Sequence, residues 1–150
     1  MMSNKRSCLV EPIPEIFSAA QKLQQAVDAH LCSHPEKAER LFAEANDPIV
    51  WQFTDSAWGK GSKERFGFVT LPTAPPLLAR AERPQPRMPT AVTKATVIAR
   101  DGYHCRFCGM PVIDPKIRAI AQRLYPNAVQ WGTKNTEQHA AFQCMWLQFD

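Results

Sequence analysis

Cys105 and Cys108 stand two residues apart in "ARDGYHCRFCGMPV", residues 99–112, with Gly109 directly after them. A Cys-x-x-Cys turn can bring two thiolates to one zinc ion, and structural zinc takes four ligands in a tetrahedron. Glycine after the second cysteine lets the backbone turn tightly, so that its amides face the sulfurs. Two further ligands are then required. His104, His139 and Cys144 are the candidates, and none lies at the spacing of a second knuckle. A redox pair would open a helix inside a βαβ unit. Here a helical stretch precedes the pair, and Gly109, Met110 and Pro111 follow it. The third reading is two cysteines with no shared role.

The rest of the composition limits the setting. With 45 % apolar and 21 % charged residues, 150 residues read as a soluble globular chain of one ordinary or two small domains. Neither a membrane span nor a secretory leader is visible, which predicts a cytoplasmic protein without membrane partners. Five cysteines are an odd number, which suits reduced thiols better than a disulfide scaffold. Charge is uneven. Residues 1–59 hold five Lys/Arg against eight Asp/Glu, residues 60–100 eight against two, and residues 101–150 five against four. The basic excess just ahead of the cysteines suits a polyanion. A solvated linker carries such charges as well.

The elements that must position the pair follow from periodicity and punctuation. "PEIFSAAQKLQQAVDAHL" repeats apolar residues near every 3.6 positions, at Ile16, Phe17, Ala20, Leu23, Ala26, Val27 and Leu31. "PEKAERLFAEA" predicts a second helix with Ala38, Leu41, Phe42 and Ala45 on its apolar face. Asp47 can cap a third through "PIVWQFTDSAW", and Trp51, Phe53 and Trp58 can pack the three together. His30 and His34 read as surface residues. "RFGFVTL" predicts a short strand. Residues 71–90 contain six of the thirteen prolines and predict a semi-rigid linker, up to ~60 Å long at ~3.1 Å per residue. Arg80, Arg83 and Arg87 on it read as solvated.

Beyond the linker, "TAVTKATVIARDG" predicts a helix capped by Thr90 and stopped by Gly102, with Val92, Ala95, Val97 and Ile98 on its apolar side. "DPKIRAIAQRLYP" predicts another, with Asp114 as cap and Pro115 in its first turn. "AVQWG" suggests a short strand and "NTEQHAAFQ" one or two helical turns. "CMWLQFD" alternates as a strand does, with Met145, Leu147 and Phe149 on one face and Trp146 and Gln148 on the other. The expected division is 1–59 helical, 60–90 basic and proline-rich, and 91–150 carrying the cysteines.

A helix ending in Arg-Asp-Gly and running into "YHCRFCG" resembles the entry to an HNH endonuclease domain. Arg100, Asp101, Gly102, Cys105, Cys108 and Gly109 carry the likeness, and it covers residues 91–150. The resemblance implies an α+β chain, mainly helical, whose last part is an incomplete ββα-metal domain. In that family a strand leads to Asp-His-x-x-Pro, followed by an Asn or His and a second Cys-x-x-Cys. Asp150 falls where the aspartate would stand, so it becomes the would-be ligand of a catalytic Mg2+ or other divalent ion. Cys105 and Cys108 become two of four structural zinc ligands. The histidine that activates water would follow Asp150, and so would the second cysteine pair. The expectation is therefore a nuclease fold cut off before its base, inactive in these 150 residues.

Lys60, Lys63, Arg65 and Arg100 are the candidate nucleic-acid contacts, with DNA the expected partner. An unpaired final strand is an exposed edge, so a second chain pairing with it is a further expected partner. Two other readings stay open: a non-catalytic zinc-stapled nucleic-acid-binding module, and a helical interaction protein with a vestigial nuclease half.

Overall fold

The computed structural model describes residues 11–58, 78–85 and 87–149. It is mainly helical: α1 Pro14–Leu31, α2 Pro35–Ala45, α3 Pro48–Trp58, α4 Ala91–Asp101, α5 Pro115–Leu124 and α6 Ala140–Cys144, with single 3-10 turns at Arg80–Glu82 and Asn135–Glu137. Extended pairing among the described residues is confined to three isolated bridges. The expected strand at 65–71 lies outside the described residues, as do Lys60, Lys63 and Asp150. No helix among the described residues is long and apolar enough to cross a membrane.

Helix boundaries follow local chemistry. Pro14 and Pro35 open α1 and α2, where the missing N–H would have no intrahelical partner. The Asp47 carboxylate accepts from the Ile49 amide at 2.9 Å and caps α3. Between α1 and α2 the chain reverses at Ser33, whose φ of 61° is left-handed. α1 buries Ile16, Ala19, Leu23, Ala26 and Ala29, and α2 buries all four residues of its expected face. Three of the α1 contacts are alanines, which let the two helices approach closely. Phe17, Val27 and Leu31, expected in that stripe, are exposed instead. Phe53 of α3 is buried and Trp51 half-buried, while the Trp58 side chain lies outside the description.

One buried cluster contains residues of α1 to α3 together with Met110, Ala121, Tyr125, Val129, Phe142 and Met145. Its seam lies where α2 ends and α6 begins. Asn46, just past α2, accepts the Ala140 amide at 2.7 Å, and His139 Nε2 donates to the Phe42 carbonyl at 2.8 Å. A carbonyl in the last turn of α2 and an amide in the first turn of α6, which lack intrahelical partners, are thereby each satisfied by a side chain from the end of the other helix. Two further ties join the same halves. The Trp51 indole donates to the Asn135 carbonyl at 3.2 Å, and the Tyr125 hydroxyl lies 2.7 Å from His30 Nδ1.

Two expected strands are not strands. "AVQWG" runs through a turn that buries Ala128 and Val129; only Trp131 bridges, to Gln138, in a small loop closed by Gly132 and His139 amides on the Glu137 and Gln130 carbonyls. In "CMWLQFD", Cys144 ends α6, and among the described residues those that follow pair only with Ile113. The Ile113 amide donates to Met145 and the Leu147 amide to Ile113, at 2.6 and 3.0 Å. The alternation survives in burial nevertheless: Met145 is buried, Leu147 and Phe149 half-buried, Trp146 and Gln148 exposed. A single partner residue cannot support a ladder, so the pattern persists without the hydrogen bonds of a sheet.

Candidate metal centre

α4 delivers the chain to the cysteines. The Thr90 hydroxyl accepts the Thr93 amide at 3.2 Å and caps its start. Gly102 ends it with φ +67°, its amide on the Ile98 carbonyl. The cap and the stop stand where the sequence places them. The apolar side is met only in part: α4 buries no residue fully, Val97 and Ile98 are half-buried, and Val92 is 77 % exposed. Arg100 grips Asp101 with two nitrogens, at 2.6 and 2.7 Å, and Arg106 approaches the same carboxylate at 3.7 Å. The Arg100 hydrogen bond holds the Asp101 carboxyl below the ordinary carboxylate range. Arg100, an expected phosphate contact, is therefore already engaged by its neighbour.

A tight hairpin follows. His104 bridges Pro111, Val112 donates to the Tyr103 carbonyl at 3.0 Å, and Cys105 donates to the Met110 carbonyl at 2.7 Å. Gly109 closes the turn with φ +73°, its amide on the Cys105 carbonyl at 2.8 Å. This sets Cys105 and Cys108 side by side, with their side chains in hydrogen-bonding contact and the Met110 amide on the Cys108 sulfur. That is the amide-to-sulfur geometry expected of Gly109 at this position. Burial raises the Cys108 thiol pKa more than the Met110 amide lowers it. A Cβ on Gly109 would meet no atom within 4 Å, so Gly109→Ala isolates the backbone term. Denaturant unfolding is expected to show a loss of about 1–2 kcal/mol, the cost of a left-handed non-glycine residue.

Beneath the hairpin lies Cys144. Its sulfur is 3.9 Å from the Met110 sulfur, and its thiol is pushed up by burial, with Thr54 hydrogen bonding in opposition. Met110 thus stands against the third thiol. His104 is exposed on the hairpin, and His139 is committed to Phe42 inside the core. His139, the residue just before α6, is fully buried. Among the described residues no three His, Cys, Asp or Glu side chains come together to hold a metal ion. The two knuckle sulfurs fit half of a structural zinc site and do not close one.

Of the residues singled out in the sequence, the structure brings together Cys105 and Cys108 and sets Arg100 at the end of the preceding helix. Lys60, Lys63, Arg65 and Asp150 are outside the described residues. The contacts of Met110 and Thr54 with Cys144 had no signal in the sequence, because each is made through tertiary packing. Compared with protein-family models, curated proteins and solved structures, the chain matches none.

Proposed function

We propose that residues 91–150 are the entry half of an HNH-type nuclease domain, acting on nucleic acid when the segment bearing the base and the second cysteine pair is supplied. The observation that carries this reading is the helix-to-knuckle passage. α4 stops at Gly102, and by Ile113 the hairpin has turned two thiols inward and brought the chain alongside residues 145–147, which lead to Asp150. The knuckle and the closing segment are thus neighbours, as an HNH-like arrangement requires. In this reading the incomplete ββα-metal domain is residues 91–150, Asp150 is a ligand of the catalytic divalent ion, and the cysteines staple the fold. Zinc held by two sulfurs is expected to be weak, since the described residues supply no third ligand.

The test is to append a segment reading His-x-x-Pro, a downstream Asn and Cys-x-x-Cys directly after Asp150. The 150 residues alone are expected not to nick supercoiled plasmid DNA. The extended chain is expected to nick it with a divalent ion present, to bind zinc stoichiometrically, and to lose that zinc on Cys105→Ser. An extended chain that binds no zinc and cuts nothing would reject the assignment.

A further inference from the structure

Three segments far apart in the sequence meet beside the closing segment. Trp131, from the loop after α5, and Trp146, just past α6, stack with ring centres 5.4 Å apart and planes within 15°. The Arg118 guanidinium of α5 lies 4.6 Å from the Trp131 ring centre and 6.0 Å from that of Trp146. Near the same closing segment, the Lys94 ammonium of α4 sits 5.4 Å from the Phe149 ring.

Among the described residues no carboxylate forms an ion pair with Arg118 or Lys94. The ion pairs among the described residues join Arg40 to Glu44, Arg100 and Arg106 to Asp101, and Lys134 to Glu137, and leave Arg118 out. Arg118 donates from Nη1 to the Gln122 side chain, and its buried Nε has no hydrogen-bond partner. Trp146 is 38 % exposed, because the alternation that buries Met145 turns it outward. A part-exposed indole beside a guanidinium without an ion pair among the described residues suits two things: a flat π surface and an anion. An unpaired nucleotide offers both, its base for the ring and its phosphate for the cation. Base pairs in a duplex keep their faces stacked on one another and cannot offer them.

We infer that Trp131, Trp146 and Arg118 form a stacking platform for single-stranded nucleic acid, with Trp146 taking a base and Arg118 the adjoining phosphate. The platform rests on the nucleic-acid part of the reading above and does not require hydrolysis. The whole chain would be titrated with a fluorescein-labelled oligodeoxythymidine and with a duplex of the same length, followed by anisotropy and by tryptophan emission. Tighter binding of the single strand is expected, with quenching of tryptophan emission and a steep loss of affinity as salt rises. Trp146→Ala is expected to weaken single-strand binding about tenfold or more and to abolish most of the quenching. Trp146→Phe, which keeps a ring, is expected to restore most of the affinity and so to separate stacking from folding. Arg118→Gln is expected to reduce the salt dependence. Single-strand affinity unchanged in Trp146→Ala, a duplex bound as well as the single strand, or no binding of either would overturn the inference. Nicking by the extended chain is scored separately: its failure with the Trp146 effect intact rejects only the nuclease assignment.

Discussion

Phe42→Ala is expected to remove about 3–5 kcal/mol of folding free energy, the largest loss of any single truncation on the α2 face. Phe42 is 3 % exposed and its ring lies 5.2 Å from Tyr125 and 6.4 Å from Phe142. It is the aromatic that fastens the helical hairpin to the C-terminal third, since Tyr125 follows α5 and Phe142 lies in α6. Deleting it takes apolar surface out of the core and leaves a void that two rings held in place by other contacts cannot close. Domains of this size are stable by only about 5–15 kcal/mol, so the variant should be near its folding threshold. A urea midpoint lowered by more than ~1 M is expected at m values of about 1–3 kcal/mol per molar. Phe17→Ala is the matched control, because Phe17 sits on the same hairpin and is 48 % exposed. Its expected cost is under about 1 kcal/mol. Equal midpoint shifts for the two variants would contradict this account of the core.

The contrast between Phe42 and Phe17 also shows what a sequence can and cannot disclose. Helix ends were legible because capping is local: Pro14, Pro35, Asp47, Thr90, Gly102 and Asp114 act within a few residues of themselves. The knuckle was legible for the same reason, its hydrogen bonds spanning residues 103–112. Which of several apolar residues faces inward is decided by what packs against them. α1 turned Ala19 and Ala29 inward, and left Phe17 and Val27 out, because α2 comes close enough to need small side chains. "CMWLQFD" had the alternation of a strand, but a strand is a property of a pair, and among the described residues it bridges only Ile113. The meeting of Arg118, Trp131 and Trp146 depends on the turn at 126–129 and on α6, so no spacing announces it. The ties between halves are the least legible of all. His139 and Phe42 are 97 positions apart, and neither has a local reason to choose the other.

That histidine should make the fold acid-sensitive. His139 is fully buried, and a carbonyl can only accept, so the 2.8 Å contact to Phe42 assigns the ring hydrogen to Nε2. Nδ1 is then a bare acceptor with no hydrogen-bond partner in good geometry. Protonating it would place a charge in the core beside the Phe142 ring, 5.0 Å away, with no carboxylate to answer it among the residues it contacts. Burial accordingly pulls its pKa below the ordinary histidine value of 6.5, against the smaller opposing pull of the Phe42 and His139 backbone. The sign follows from which state binds the proton. Above about pH 6.5 both the folded and unfolded chains hold the ring neutral, and its stabilising contribution is fully present. As pH falls below that value the unfolded chain takes up a proton that the folded chain refuses, so stability declines through the folded pKa, by up to about 1.4 kcal/mol per pH unit. His139→Gln keeps a side-chain N–H for the Phe42 carbonyl and removes the titration. It is expected to be less stable than the parent at pH 7.5 by about 1–3 kcal/mol, and to lose less on going to pH 5.5. Urea midpoints for both proteins at several values between those limits give the two slopes. Parallel slopes would mean that His139 titrates alike in both states, and that the seam between α2 and α6 is open to water.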